Sequence, residues 1–207
     1  MTESRGERKE RTRRAILDAA LRLSSDTTLA AISLRQVAKE VGIVPTAFYR
    51  HFASIEELGL ALVEESLDTL RTLLREIRRA DVADFRSIID GSVAVLVEQV
   101  RRHHDHYNFI ARERFAGAPP VRQAIEHGID LAARELAVDL AQLPGPDHWS
   151  EADLRMVSGL IVSLMVVTVE RLVVVEPGSA AEREIADTAR AQLRMMLIGA
   201  LNWRSRD

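Results

Sequence analysis

Ser33 with Gln36, Ser54 with Glu57, Ser150 with Asp153, and Ser179 with Glu182 each place a serine three positions ahead of Glu, Gln or Asp, just before a run of apolar residues. Each pair has the chemistry of a helix capping box, in which the serine hydroxyl and the later side chain satisfy N–H groups that the first helical turn leaves open. The runs that follow repeat at three and four residues rather than at two. Val63, Leu67, Leu70, Leu74 and Ile77 form one stripe; Ile185, Ala189, Leu193, Met196, Leu197 and Ala200 form another. Uncapped stretches share the period: Ile16, Leu17, Ala20 and Leu23 near the start, and Phe85, Ile88, Ile89, Val93, Leu96 and Val100 in the middle. Pro119-Pro120 opens a further segment reaching about Leu143, the PGP that follows Leu143 reads as a loop, and Pro177-Gly178 ends the apolar run that starts after Ser150. No alternation of strand type, internal repeat or low-complexity segment interrupts this pattern. The expected fold is all-α, with about nine helices.

The N-terminal quarter has finer punctuation. A helix opening at Leu34, stapled by Ile32 and Val37, is short because Gly42 stands where a left-handed C-terminal residue is wanted. Pro45 suits the first position of the next helix, where its missing N–H costs nothing. Two short helices joined by a glycine turn make a helix-turn-helix, whose second helix can lie in a DNA major groove. Ala38, Val41, Ile43 and Phe48 would pack the pair, leaving Pro45, Thr46, Tyr49, Arg50 and His51 outside; FYRHF could equally be a core segment with Arg50 and His51 merely solvated. Charge is uneven in the same region. Residues 1–52 carry a net +4 and the remainder −7, and Arg5–Arg14 alone holds six basic and two acidic residues. That run is either a solvated, partly frayed helix start or an arm that meets a polyanion.

Several classes are set aside by what the chain contains. With no cysteine there is no disulfide framework and no thiol chemistry, so a reducing cytoplasm is the simplest setting. The charged first 14 residues do not read as a signal peptide. Met156–Val175 approaches membrane-spanning length, but Glu170 and Arg171 interrupt it, and a buried helix of a soluble protein is the expectation. His103, His104 and His106 cluster, yet a polar turn explains them without a metal. Glu56-Glu57 and Glu64-Glu65 are neighbours that do not face one another on a helix. No nucleophile elbow, phosphate loop or dinucleotide fingerprint is present, so neither an enzyme nor a bound cofactor is expected.

The segment ISLRQVAKEVGIVPTAFYRHFASIEEL, Ile32 to Leu58, resembles the DNA-binding signature of the TetR family of bacterial transcriptional repressors. The motif lies within about the first quarter of the chain and includes the glycine turn, the aromatic-rich recognition helix and the acidic start of the fourth helix. The resemblance implies a head over residues 1–53 and a ligand-binding and dimerisation domain over 54–207, with helix 4 linking them. Val44 and Ile55 depart from the commoner serine and lysine, which puts phosphate-facing roles there in doubt. With RER at Arg112–Arg114 and GA-x-x-W at Gly199–Trp203, the chain is similar to the FabR/DesT-type repressors of fatty-acid synthesis and desaturation. A regulator of drug efflux or of another metabolic pathway is the competing branch.

At the DNA end, Tyr49, His51 and Arg35 have the chemistry to reach phosphates, and Pro45, Thr46 and Arg50 can meet base edges. One short recognition helix reads few base pairs, so a homodimer on a palindromic operator is expected. Gly159, Ser163, Ala186, Ala189 and Gly199 are the candidates for close approach between copies. Nine aromatics in 207 residues leave an interior of Leu, Val, Ile, Ala and Met, better suited to an aliphatic chain than to a planar drug. The resemblance implies a long-chain acyl thioester on coenzyme A or acyl carrier protein as effector. Tyr107, Phe109, Arg112, Phe115 and Met165 are the ligand candidates. Arg112 and Arg114 could meet a headgroup's phosphates or pair with Glu113 or Asp105.

Overall fold

The computed structural model describes residues 4–79, 85–142 and 149–204. Among them are nine α-helices, one short 3-10 turn and no strand: α1 (Arg5–Leu23), the 3-10 turn Leu29–Ala31, α2 (Leu34–Val41), α3 (Pro45–Phe48), α4 (Ile55–Arg79), α5 (Phe85–Arg102), α6 (His104–Ala116), α7 (Pro119–Leu140), α8 (Glu151–Leu172) and α9 (Ala180–Leu201). The all-α expectation holds. The PGP loop, and the side chains of Leu70, Leu74, Ile77 and Phe85, lie outside the described residues.

The serine caps act as anticipated, with two variations. Ser33 and Ser150 form complete boxes with Gln36 and Asp153. Ser54 accepts the Glu57 N–H at 3.0 Å, but the Glu57 carboxylate takes the N–H of Ala53, one residue before the cap. Ser179 accepts the Glu182 N–H, while the Glu182 carboxylate turns to the Gly178 N–H at 3.1 Å and to the Arg101 guanidinium on α5. A fifth box, Ser4 with Glu7, starts α1 at Arg5, so the basic run is a capped helix and not a frayed one.

The helices fall into two compact units that do not follow chain order: residues 1–68 with 105–126, and residues 69–104 with 127–207. In the first, Ile16, Ala19 and Ala20 of α1, Val37 and Ala38 of α2, Leu58 and Leu62 of α4, Phe109 of α6, and Val121 and Ile125 of α7 are buried. Leu23 is only half-buried; Leu21 takes the inward place expected for it. Gly59 permits close packing here, since a Cβ on it would stand 2.8 Å from Leu29 Cδ2 and 3.0 Å from Val121 Cγ2.

Three polar contacts tie α6 to the connection between α1 and α2. The Asn108 amide and the Arg112 guanidinium both donate to the Ser25 carbonyl, at 2.9 and 2.8 Å. Glu113 Oε1 accepts the Leu29 N–H at 2.7 Å. Glu113 is 1% exposed, and its Oε2 has no hydrogen-bond partner among the described residues. Burial raises its pKa above the usual carboxylate range, against the lowering effects of the Leu29 N–H and the Arg112 charge.

In the second unit, Ile89 and Val93 of α5 pack with Ala186, Ala189 and Leu193 of α9, and Ile161, Leu164 and Met165 of α8 lie against the cluster. Ala186 and Ala189, expected at a surface between copies, are therefore core residues of one chain. Their small side chains face α5, and the Arg194–Asp90 ion pair at 2.6 Å joins the same two helices. α8 is long and apolar enough, by length and composition, to cross a membrane, yet it is not the wholly buried helix expected. Met156, Leu160 and Val167 are exposed on it, as are Met195, Ile198 and Leu201 on α9. The Trp203 indole N–H donates to Asp153 Oδ1 at 3.0 Å, tying the end of α9 to the start of α8.

The buried carboxyl of Glu113 gives a pH test of this packing. A folded-state pKa above the unfolded value means that its contribution is full below about 4.5 and is lost as pH rises through the folded pKa. Glu113→Gln keeps an acceptor for Leu29 and removes the titration. Its melting temperature, measured against the natural protein from pH 4.5 to 7.5, is expected to gain steadily with pH; a constant gap would place the carboxyl in water.

Candidate nucleic-acid interface

The helix-turn-helix is set by backbone geometry. Gly42 adopts φ 74°, ψ 30°, and beyond it the Ile43 N–H reaches back to the Ala38 carbonyl at 2.9 Å while the Gly42 N–H bonds Lys39 at 3.1 Å. This closes α2 with a left-handed cap that a residue bearing a Cβ adopts only with strain. Val44 then stands as an extended N-cap without a side-chain bond, and Pro45 is the first residue of α3.

α3 is shorter than the sequence suggested. It ends at Phe48, and Tyr49, Arg50 and His51 follow in a turn that keeps helical hydrogen bonds: Arg50 N–H to Ala47 at 3.2 Å, His51 N–H to Phe48 at 2.8 Å, and Phe52 N–H to Phe48 at 3.2 Å. Phe48 and Phe52 are 0% and 1% exposed, with ring centroids 5.9 Å apart. Because these two rings point inward one turn apart, Tyr49 and Arg50 between them point out. Pro45, Thr46 and Arg50 are exposed, and Tyr49 is 61% exposed. Arg35 is exposed near the start of α2. Val41 and Ile43 are half-buried beside fully buried Ala38 and Phe48, so the two helices share an apolar seam.

His51 differs from its neighbours. It is half-buried, and its Nδ1 is enclosed with no hydrogen-bond partner. Burial lowers its pKa first, and the charges of Lys9 and Arg13 on α1 lower it further, with Glu10 opposing. The imidazole is thus held neutral within a positive field, the state in which one ring nitrogen donates and the other accepts.

Two family profiles match the chain. The N-terminal family "Bacterial regulatory proteins, tetR family" matches residues 16–62, and "Tetracyclin repressor-like, C-terminal domain" matches residues 85–199, more than half of the chain. The chain belongs to the TetR family of transcriptional regulators. It is a DNA-binding regulator with an N-terminal helix-turn-helix and a C-terminal ligand-binding domain, the class expected from Ile32–Leu58. Solved structures share the fold at low identity. A putative TetR-family regulator from Syntrophomonas wolfei superposes with a TM-score of 0.72 at 12% identity, covering 92% of this chain and 96% of its own. AibR, solved with isovaleryl coenzyme A and operator DNA, gives 0.66 at 19%, covering 88% and 97%. The fatty acid degradation regulator FadR from Bacillus halodurans gives 0.66 at 13%, covering 98% and 97%.

The ligand candidates are divided by the fold. Tyr107, Phe109, Arg112 and Phe115 stand on α6 in the first unit, and Met165 is half-buried against the α5–α9 cluster of the second. Tyr107 and Phe109 are buried, at 5% and 1%, whereas Phe115 is 68% exposed with the Arg114 guanidinium 5.0 Å from its ring centroid. Arg112 is engaged with Ser25. Asn108 was not anticipated beside it, and Glu113, expected as a possible ion-pair partner of Arg112 or Arg114, accepts the Leu29 N–H; the partners of both are backbone groups more than 80 residues away and leave no trace in local spacing. An open depression lined by Arg171, Val174, Val175, Ala181, Glu184 and Ile185 contains none of the candidates.

Tyr49→Ala combined with His51→Ala removes two donors while leaving the Phe48 and Phe52 anchors in place. Operator affinity, followed by fluorescence anisotropy, is expected to fall by a similar factor on every duplex, with the slope of log K against log salt unchanged, because neutral donors release no counterions. Undiminished affinity would mean that neither side chain meets the backbone of DNA.

Proposed function

We propose that this regulator is a homodimeric repressor of fatty-acid synthesis or desaturation genes, acting in the cytoplasm on a palindromic operator and sensing a long-chain acyl thioester. The observation that carries the DNA end is the exposure of Pro45, Thr46, Tyr49 and Arg50 on a segment anchored by two buried phenylalanines. Thr46, Pro45 and Arg50 are assigned to base edges, and Arg35, Tyr49 and His51 to phosphates; these contacts fix register, and the charge of Arg35 brings salt dependence.

The second copy is argued from the apolar face left on the last two helices. Met156, Leu160 and Val167 recur at four and seven residues along α8, and Met195, Ile198 and Leu201 share one side of α9. Six large apolar side chains exposed on adjoining helices suit burial against a second copy, and Gly159, Ser163 and Gly199 beside them allow close approach. A bundle of α8 and α9 from two chains would cover this face and space two recognition helices along DNA.

The effector class rests on the sequence resemblance and on an interior poor in aromatic rings. AibR with its isovaleryl coenzyme A, and FadR as a regulator of fatty acid degradation, agree with it in kind while differing widely in sequence. α6 is the element assigned to the ligand. An acyl headgroup drawing Arg112 away would leave the Ser25 carbonyl to Asn108 alone and loosen the connection that leads into α2. Such a ligand acts only through unequal affinity for the two arrangements.

Sedimentation at micromolar concentration is expected to give a dimer, which Leu160→Glu with Ile198→Glu converts to monomer; a monomeric natural protein would remove the two-fold operator. Titrating saturated and unsaturated acyl-coenzyme A into an operator-binding assay is expected to change DNA affinity for at least one class. A response to drugs and to neither thioester would place the chain in the efflux-regulating branch.

A further inference from the structure

The basic run ahead of the helix-turn-helix is ordered by its own cap. Ser4 Oγ accepts the Glu7 N–H at 3.2 Å and Glu7 Oε2 accepts the Ser4 N–H at 2.7 Å, so α1 is helical from Arg5, 11 residues before the tetR-family match begins at residue 16. On a helix, residues four apart share a face. Arg5, Lys9 and Arg13 therefore form one cationic stripe, with Arg5 and Lys9 exposed and Arg13 half-buried. Arg14 belongs to another face, where it pairs with Asp18 at 3.0 Å and Glu65 at 2.7 Å.

The inner end of the stripe meets the recognition segment. The Arg13 guanidinium carbon lies 4.5 Å from the centroid of Phe52, the ring that anchors the turn carrying Tyr49, Arg50 and His51. His51 feels both Lys9 and Arg13, whose charges push its pKa down, together with the opposing charge of Glu10 and the like charge of Arg50. Glu7, the other acidic residue of the run, is committed to the cap. The positive field of Arg50 is thus continued along α1 for two further turns, on a rigid helix.

We propose that Arg5, Lys9 and Arg13 form a second DNA-contacting element, which lies against backbone phosphates flanking the bases met by Pro45–Arg50. Guanidinium and ammonium groups on a regular helix face suit phosphate oxygens and carry no base code, so the stripe adds affinity and footprint without choosing sequence. It extends the operator-binding reading above and rests on it. The two remain separable, because the stripe and the recognition segment are carried by different residues.

The test uses the full-length protein and a duplex selected by it from a random-sequence pool, with a scrambled duplex beside it. Arg5→Gln with Lys9→Gln leaves the Phe52 contact intact; adding Arg13→Gln completes the stripe, and Arg5→Lys with Arg13→Lys retains its charge. The triple variant is expected to bind both duplexes at least tenfold more weakly. Its log K against log salt slope should fall by about 0.9 per phosphate released, up to roughly five if a dimer places six cations on phosphate. The double Gln variant should fall between, and the Lys variant should stay within about twofold of the natural protein. An unchanged slope in the double and triple Gln variants, alongside weakened binding in Tyr49→Ala with His51→Ala, would overturn the stripe and leave the recognition segment standing. A selective loss on the selected duplex alone would also overturn it, since it would make the stripe a reader of bases. No preference of the natural protein for any selected duplex would instead strike the operator reading itself.

Discussion

The burial of Phe48 and Phe52 is the interaction on which the DNA-facing surface depends. Two rings one helical turn apart, both essentially without solvent exposure, fix the rotation of a segment whose α-helix is only four residues long. Removing each ring from water contributes about 2–3 kcal/mol, far more than the propensity of so short a helix could supply. Once those rings point inward, Tyr49 and Arg50 have nowhere to go but outward. The Gly42 turn and Pro45 deliver the chain to this position, and the cation of Arg13 lies over one of the rings from α1.

A second constraint operates on the other side of the head, where α6 holds the connection between α1 and α2 through backbone groups. Ser25 and Leu29 sit between α1 and α2, where the Ser25 carbonyl and the Leu29 N–H would otherwise need water. Asn108, Arg112 and Glu113 satisfy them from one helix face. Glu113 does so with a nearly inaccessible carboxyl, half of which lacks a partner. A buried polar contact of this type is sensitive to small displacements, because an N–H left unpaired costs about 1–3 kcal/mol. The helix that carries it also carries four of the side chains assigned to the effector, so chemistry at α6 and geometry at the head share one structural element.

Much of this was legible in advance because its causes are local. The boxes at Ser33 and Ser150, the left-handed Gly42, Pro45 opening α3, and the stripe through Val63 and Leu67 each depend on residues within about one turn or one heptad. What escaped were effects of partners distant in sequence. Glu182 was read as half of a capping box, but Arg101 draws its carboxylate to α5, 81 residues earlier. Ala186 and Ala189 were read as a surface for a second chain because small residues allow close approach; it is α5 that approaches them. The Ser4–Glu7 box was overlooked because charge dominates the segment around it.

The sequence by itself determined the helices, their caps and the family signature in Ile32–Leu58, since capping hydrogen bonds, glycine and proline conformations and apolar period act over a few residues. Tertiary structure alone decided which faces those helices spend on each other. It turned Ala186 and Ala189 inward, left Met156, Leu160, Met195 and Ile198 outside, set Arg112 on the Ser25 carbonyl, and brought Arg13 onto Phe52. Those outcomes follow from competition among apolar surfaces and unpaired backbone groups across the whole chain, which no local pattern encodes.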